Sequence, residues 1–415
     1  MHLPEPFIQE TRKLLGDDRF QQLKVALDEE PPVSIRLNPF KVEYGKWRIK
    51  SGVQMGIVPW CNYGYYLNER PNFTFDPLLH AGAYYVQEAS SMFVYHVLKQ
   101  YVHEPVMMLD LCAAPGGKTT CAMSALPSGS RLYSNEPIRT RAHILSENVQ
   151  KFGHKDIVVT NNYPKDYRKS GMMFDVILCD VPCSGEGMFR KDKNAINEWS
   201  LQHVAQCQQL QRNIVEEAWQ CLRPGGLLIY STCTFNVHEN EENVKWIYDK
   251  LGAKILCVEM QPEWGITGSL LNDFQQPVYR FLPGFSHGEG LFMAVMTKCE
   301  RVNEPSDSCH NKASAYLHKE KRLNILPPLF FDALDKAYET PKIELSYAQA
   351  ISYLRRESII LSADIPCGIV TLTYHGLPIG LAKNVGNRAN NLYPKEWRIK
   401  STHIPQIPVV LLTPI

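Results

Sequence analysis

The chain contains no uninterrupted apolar run of about eighteen residues, so a membrane-spanning helix is not expected. Its opening, MHLPEPFIQETRK, lacks the basic-then-apolar pattern of a secretory leader. A soluble, unexported, cytoplasmic protein is the expectation. The twelve cysteines form no C-x-x-C pair, which disfavours zinc and leaves most thiols expected to be reduced, buried and inert. The dinucleotide fingerprint G-x-G-x-x-G is missing, as are internal repeats and low-complexity tracts. HENEENV, residues 238 to 244, sets His238 and Glu242 at i, i+4, but no third ligand completes a metal site. The acidic first turn of a helix is expected there instead, and no metal.

What is present is a 415-residue chain with charge unevenly spread. From residue 311 onward thirteen Lys and Arg face eight Asp and Glu, a net +5, which leaves the first 310 residues at −4 of the total of +1. A basic tail hints at a polyanionic partner. The length allows two or three domains. Residues 1–100 mix amphipathic helical patterns (FIQETRKLLG, FQQLKVALDE) with the extended run SIRLN, an α+β auxiliary module. Residues 101–300 alternate helical segments with the apolar runs VMMLDL, RLYSNE, DIVVT, FDVILCD, GGLLIYST, AKILCVE and GLFMAVMTK. Such alternation implies a parallel sheet covered on both faces. Residues 301–327 read as a polar linker. Residues 328–415 form a last domain, in which GIVTLTYHGLPIGLAKN is expected to be a hairpin turning at His375-Gly376.

In such a sheet the chemistry gathers at the carboxyl ends of the strands. LDLCAAPGGKTT, residues 109 to 120, nearly spells a phosphate-binding loop, with Gly117, Lys118 and Thr119 matching its second half. Cys112 replaces the first glycine, however, and Pro115 has no N–H to offer a phosphate. The turn suits a closely approaching ligand without phosphate, such as S-adenosylmethionine. Glu136, ending the next strand, is placed to accept hydrogen bonds from a ribose. Two further strand ends carry Cys183, in DVPCSGEGMFRKD after Asp180, and Cys233, in YSTCTF. A nucleophilic thiol, a second polar group, a carboxyl and S-adenosylmethionine are what methylation at carbon 5 of cytosine requires. That carbon becomes nucleophilic only after a thiolate has added at carbon 6.

In their order and spacing these three motifs resemble motifs I, IV and VI of the Sun/Fmu RNA (cytosine-5) methyltransferases, nearest to the bacterial RsmF-like ribosomal RNA methyltransferases. YYVQEASSM and HGEGLFMAVMTK extend the resemblance. The tail, YHGLPIGLAKNVGNRANNLYPKEWRIK, is similar to the PUA-like RNA-binding domain of that branch, so nearly the whole chain is covered. The resemblance implies a Rossmann-like class I S-adenosylmethionine-dependent core between a small α+β module and a PUA-like domain. By the same resemblance Cys233 matches the nucleophile, Cys183 the residue that helps release the methylated base, and Asp180 the carboxyl near nitrogen 3 of the base. Cys112, Ala113, Ala114, Pro115, Gly116, Gly117 and Lys118 match the loop around the methionine part of the cofactor, and Glu136 the ribose ligand. Lys118 is further implied to orient Asp180 or the pyrimidine. Where the family often has an Asp near the adenine, this chain has Asn161 and Asn162, and Asn162 is assigned there. Val181 stands where Ala is commoner.

A base methylated at carbon 5 must leave its stack, so a single-stranded or loop cytosine is the expected target. Arg36, Arg190 and Lys191 near the site, with Lys383, Arg388, Lys395 and Arg398 in the tail, are candidate phosphate contacts. Tyr393 and Trp397 are candidate stacking platforms. Small-subunit ribosomal RNA is the implied substrate and a monomer the expected state. Transfer RNA as substrate, a non-catalytic RNA-binding or ribosome-assembly role and, more distantly, a phosphate-loop NTPase are the alternatives.

Overall fold

The computed structural model describes residues 1–43, 45–299, 319–327, 340–386 and 388–415. Helices α1 (Glu5–Leu15) and α2 (Asp17–Asp28) open the chain. Their apolar faces, through Phe7, Phe20 and Leu23, pack on Phe189 and Trp199. Phe7 meets both rings edge-on at 5.3 and 5.5 Å, a contact geometry that adds to the burial itself. The pair is thereby fastened to the loop that carries the DVPC motif. Strands β1 (Val33–Leu37), β2 (Trp47–Ile49), β3 (Gln54–Ile57) and β4 (Gly64–Leu67), the short helix α3 (Pro77–His80) and strand β5 (Tyr84–Val86) follow. Four of these strands form a sheet in the order β3-β4-β1-β5.

Helix α4 (Phe93–Tyr101) sits in the core of the central sheet, with Phe93, Val97 and Leu98 clustered with Met108 and Cys121. The alternation read from the sequence then appears as β6 (Met107–Asp110), α5 (Gly117–Ala125), β7 (Arg131–Asn135), α6 (Arg139–Phe152), β8 (Ile157–Thr160), α7 (Pro164–Ser170) and β9 (Phe174–Asp180). Helices α8 (Lys193–Glu198) and α9 (Leu201–Cys221), β10 (Leu222–Thr232), α10 (Glu241–Leu251), β11 (Ala253–Ile255), β12 (Tyr279–Phe281) and β13 (Leu291–Lys298) complete the unit. The sheet order is β11-β13-β10-β9-β6-β7-β8, with β12 on β13. Strand β9 is continuously apolar because both of its faces are covered: Val176 and Leu178 join one core cluster, Ile177 and Cys179 the other. The sheet is not wholly parallel, since GLFMAVMTK (β13) runs antiparallel to β10. Chain reversal there needs no crossover helix, and the intervening loop brings residues 287–290 to the strand ends.

The expected linker is partly structure. Residues 300–318 lie outside the described residues, but residues 319–327 are docked on the edge of the sheet. Ile325 bridges Thr160 antiparallel, Leu326 N–H donates to Val159 O at 2.9 Å, and Glu320 takes hydrogen bonds from Arg131 and Tyr133 at 2.7 and 2.8 Å. Satisfying the exposed edge of β8 is the physical reason for this strap.

In the tail, β14 (Lys342–Glu344), β15 (Gly368–Tyr374), β16 (Leu377–Asn384) and β17 (Ala389–Asn391) form one sheet, with helix α11 (Tyr347–Leu354) beside it. The β15–β16 hairpin turns at His375-Gly376, where φ is 50° and 75°, the two positive values a type I′ turn requires. The tail and the first module share a core: Ile35, Leu67, Phe75 and Leu78 cluster with Leu345, Tyr353, Leu372 and Leu412. Strand β18 (Leu412–Pro414) pairs with β2. No helix among the described residues is long and apolar enough to cross a membrane.

Candidate active site

Strands β6, β7, β9 and β10 deliver Asp110, Glu136, Asp180 and the Cys233 turn to one end of the sheet. A cleft of about 580 Å³ opens there, walled by Asp110, the 112–118 loop, Asp180, Cys183 and Cys233, and closed on its far side by Tyr85 to Glu88 of the first module. Lys118, in the first turn of α5, places Nζ 2.9 Å from Asp180 Oδ2, while Ser231 Oγ donates to Asp180 Oδ1 at 2.7 Å. Burial lowers the Lys118 ammonium, but the charge and hydrogen bond of Asp180, with the charges of Cys233 and Glu88, together outweigh it and hold the group above its ordinary value. The two cysteine sulfurs lie 3.2 Å apart. Hydrogen bonding to Cys233, then burial, keeps the Cys183 thiol well above its ordinary value. Gly187 is where a side chain would not fit: its N–H donates to Cys233 O at 2.8 Å, and an added Cβ would lie 2.9 Å from that oxygen.

The 112–118 loop is not a phosphate cradle. Ala113 N–H is spent on Asn135 O and Gly116 N–H on Ala113 O, both at 2.8 Å, and Pro115 has none. The loop carbonyls are likewise held, Ala114 O by Arg141 at 3.0 Å and Pro115 O by Asn148 at 2.8 Å. Gly116 takes φ 109° at the start of α5, which lets the loop turn tightly beside the cleft. The cleft wall also holds an unsatisfied acceptor. Asp110 is fully buried; its Oδ2 accepts from Thr119 Oγ1 at 2.6 Å, but its Oδ1 has no partner. Burial raises this carboxyl to about 7. A buried carboxylate oxygen without a donor, bordering a cleft, fits a cationic ligand group. Sequence reasoning passed over Asp110, although it ends β6 just as Asp180 ends β9.

The family model described as 16S rRNA methyltransferase RsmB/F matches residues 97–297. Models for the N-terminal domain and the PUA domain of 16S rRNA methyltransferase RsmF match residues 3–89 and 340–399. The chain belongs to the RsmB/F methyltransferase family. An RsmB/F relative, ribosomal RNA small subunit methyltransferase F of Cronobacter sakazakii, is 27% identical over 95% of this chain and 96% of its own. The Escherichia coli O9:H4 protein of the same name is 26% identical over the same shares. The crystal structure of a methyltransferase homolog protein from Pyrococcus horikoshii superposes with a TM-score of 0.58 at 24% identity, covering 71% of this chain and 100% of that one. The RsmB/F family uses S-adenosyl-L-methionine, and the cleft wall fits it in one respect: the unpartnered Oδ1 of Asp110 would be satisfied by a ligand's ammonium.

Within this RsmB/F fold several predicted contacts move to other duties. Arg36 is 1% exposed and donates to Gln87 at 2.8 Å, Ser124 at 3.1 Å and Thr120 at 2.6 Å, so it pins the cleft wall to α5 and has no reach to a phosphate. Arg190 donates Nη1 to Ala26 O at 3.3 Å and Nη2 to Gly288 O at 2.7 Å, tying α2 to the loop before β13. Lys191 stands at the cleft mouth on Glu289, at 2.6 Å. Asn162 is buried, and its amide holds the backbone of Asn324 at 3.0 and 3.3 Å, which turns it toward the strap and away from an adenine. Tyr393 is buried against Tyr353 and Trp397, and Trp397 lies half-buried under the Lys151 ammonium of α6, so neither is an open stacking platform. Lys383, Arg388, Lys395 and Arg398 lie exposed on the tail. Among the described cysteines Cys257, Cys299 and Cys367 are exposed, exceptions to the burial expected of most. His238 and Glu242 bond to each other at 2.9 Å, and among the described residues no group of three or more metal-ligating side chains is assembled.

Proposed function

We propose that this chain methylates carbon 5 of a cytosine in small-subunit ribosomal RNA through a transient bond from Cys233 to carbon 6. The observation that carries this reading is the pair of sulfurs 3.2 Å apart in one cleft with the Lys118–Asp180 ion pair. A phosphate-loop NTPase has no use for such a pair, and a non-catalytic RNA-binding protein has no need of it. The relatives' shared name, ribosomal RNA small subunit methyltransferase F, supports the substrate class over transfer RNA. The bound cofactor supplies an electrophilic methyl group on a sulfonium. Cys233 sulfur forms the bond to carbon 6, and the electrons of the 5,6 double bond move to carbon 5. Asp180, held by Lys118 and Ser231, retains lone pairs to accept from the amino group beside nitrogen 3 on the base edge. After methylation a base takes the proton from carbon 5, the C–H electron pair re-forms the 5,6 double bond, and the carbon 6–sulfur bond breaks to release Cys233 as thiolate. Cys183 stands beside that sulfur and assists this last step.

Incubation with labelled S-adenosylmethionine and undermodified RNA, followed by nucleoside analysis, tests the reading. Label in 5-methylcytosine of small-subunit RNA, free or in subunits, is expected; label in another nucleoside, or none with either substrate, rejects it. Cys183→Ala is expected to let the adduct form and then stall, so that a covalent enzyme–RNA band accumulates on denaturing gels. A variant that turns over normally would remove Cys183 from the mechanism.

Asp110 gives a pH dependence. With its carboxyl raised to about 7 it is largely protonated in mildly acidic solution, whereas the cofactor ammonium favours the carboxylate. Cofactor affinity should therefore rise, and binding release a proton, as pH increases from about 5.5 to about 7, by at most about tenfold per unit. Titration calorimetry in buffers of different ionisation enthalpy reads this directly. Asp110→Asn should bind more weakly and flatten the profile; an unchanged slope would assign the proton to another group.

A further inference from the structure

The two cysteine turns are held by each other. Glu186, three residues after Cys183, is 1% exposed, and its Oε2 accepts the backbone N–H groups of Phe235 and Asn236 in the Cys233 turn, the second at 3.0 Å. Glu239, six residues after Cys233, is fully buried, and its Oε2 accepts the N–H of Ser184, next to Cys183, at 3.0 Å, and Gln211 Nε2 at 2.7 Å. Between them lies Asn236, whose Nδ2 donates to Glu186 Oε1 at 3.0 Å and to Glu239 Oε1 at 2.9 Å. Ser184 Oγ and Thr234 Oγ1, the side chains that follow the two cysteines, bond directly at 3.0 Å.

We propose that Glu186 and Glu239, bridged by Asn236, are positioning residues that form a reciprocal clasp setting the Cys183–Cys233 spacing. Each carboxylate grows from one cysteine turn and grips the other, so neither turn can shift without drawing on its neighbour. Burying two carboxylates this close is costly, and a fold that needed only packing would fill the space with apolar side chains. Every oxygen of the pair receives at least one N–H donor, a saturation that fixes angles as well as distances. Burial, with Glu186 as a further contributor, also raises the Glu239 carboxyl, which is the expected mark of such crowding.

The clasp predicts a division of labour that plain structural weakening does not, and it rests on the two-cysteine reading above. Glu239→Gln turns an N–H donor toward other donors beside Ser184 and loosens the Cys183 turn. Adduct formation should stay within about twofold while adduct resolution slows by about ten- to a hundredfold. Glu186→Gln does the same to the Cys233 turn, and should slow adduct formation by a similar factor while leaving adduct lifetime unchanged. Single-turnover assays on the full chain, with covalent complex and methylated product followed separately, read both steps; cofactor affinity and urea unfolding of each variant report folding. Should Glu186→Gln not fold, Asn236→Ala, which leaves each carboxylate its backbone donors, should slow both steps with cofactor affinity retained. Parallel loss of both steps with the folded fraction, or no change in either, overturns the clasp. Cys183→Ala in the same assay separates the two ideas: if it traps adduct while the clasp variants behave as wild type, only the clasp falls, and if it fails to trap, the two-cysteine reading falls and takes the clasp with it.

Discussion

Cys233→Ala should abolish methyl transfer, with a loss of at least about a thousandfold in turnover and no covalent RNA complex under any condition. The reason lies in which sulfur can attack. Hydrogen bonding to Cys233 and burial raise the Cys183 thiol well above its ordinary value, which disfavours it as the attacking thiolate, and Cys233, at the end of β10, faces the same cleft as Asp180. In the proposed mechanism, removing Cys233 takes away the step that makes carbon 5 nucleophilic, whereas the 112–118 loop, the Lys118–Asp180 pair and the PUA domain stay in place. Cofactor affinity and RNA affinity should accordingly change by less than about threefold, within the range of surface and neutral substitutions. Quenched-flow assays with labelled cofactor, together with denaturing gels, distinguish this from the opposite assignment, in which Cys233→Ala would accumulate adduct.

The largest stability effect is expected at Arg280 and Glu241. The two are 1% and 0% exposed; Arg280 Nε donates to Glu241 Oε1 at 2.6 Å, Nη2 meets Oε2, and Nη1 donates to Phe235 O at 2.6 Å. Glu241 opens α10, where a carboxylate is also favoured by the helix dipole, and it accepts Leu270 N–H at 3.0 Å. Arg280→Met leaves a buried, unpaired carboxylate, and Glu241→Gln a buried, half-paired guanidinium. Each should cost about 3–5 kcal/mol. The double variant Arg280→Met/Glu241→Leu should be much less damaging than the sum, because it strands no charge. Urea unfolding followed by tryptophan fluorescence measures all three; additive losses would show that the pair is not coupled. Since Phe235 lies two residues from Cys233, the single variants should also lose activity before they lose secondary structure.

The catalytic end of the sheet was legible because its signals are local. Apolar runs that end in Asp180 or shortly before Cys233 declare both strand and strand end in a few residues, and the His375-Gly376 turn does the same for the hairpin. The misread residues depend on partners far along the chain. Arg36 looks like a surface cation until Thr120 and Ser124, 84 and 88 residues later, are seen to receive it. Asn162 carries the right chemistry for an adenine edge, but Asn324 arrives 162 residues later and takes both ends of its amide. The strap at 319–327 binds in part through backbone groups of Asn324 and Leu326, which leave no mark in side-chain composition. Asp110 was missed for a different reason: its orphaned oxygen is a property of the packed cleft, not of the residue type.

The shared core of the first module and the tail has a consequence for how the protein is made. Ile35, Leu67 and Phe75 are synthesised early, yet the residues that cover them, from Leu345 to Leu412, leave the ribosome some three hundred residues later. At about 5–20 residues per second, the first module waits of the order of fifteen seconds to a minute with apolar surface uncovered. The catalytic sheet, whose core lacks only the strap residues Leu323 and Leu326 once β13 is made, can close around its cleft before the first module and the tail have met.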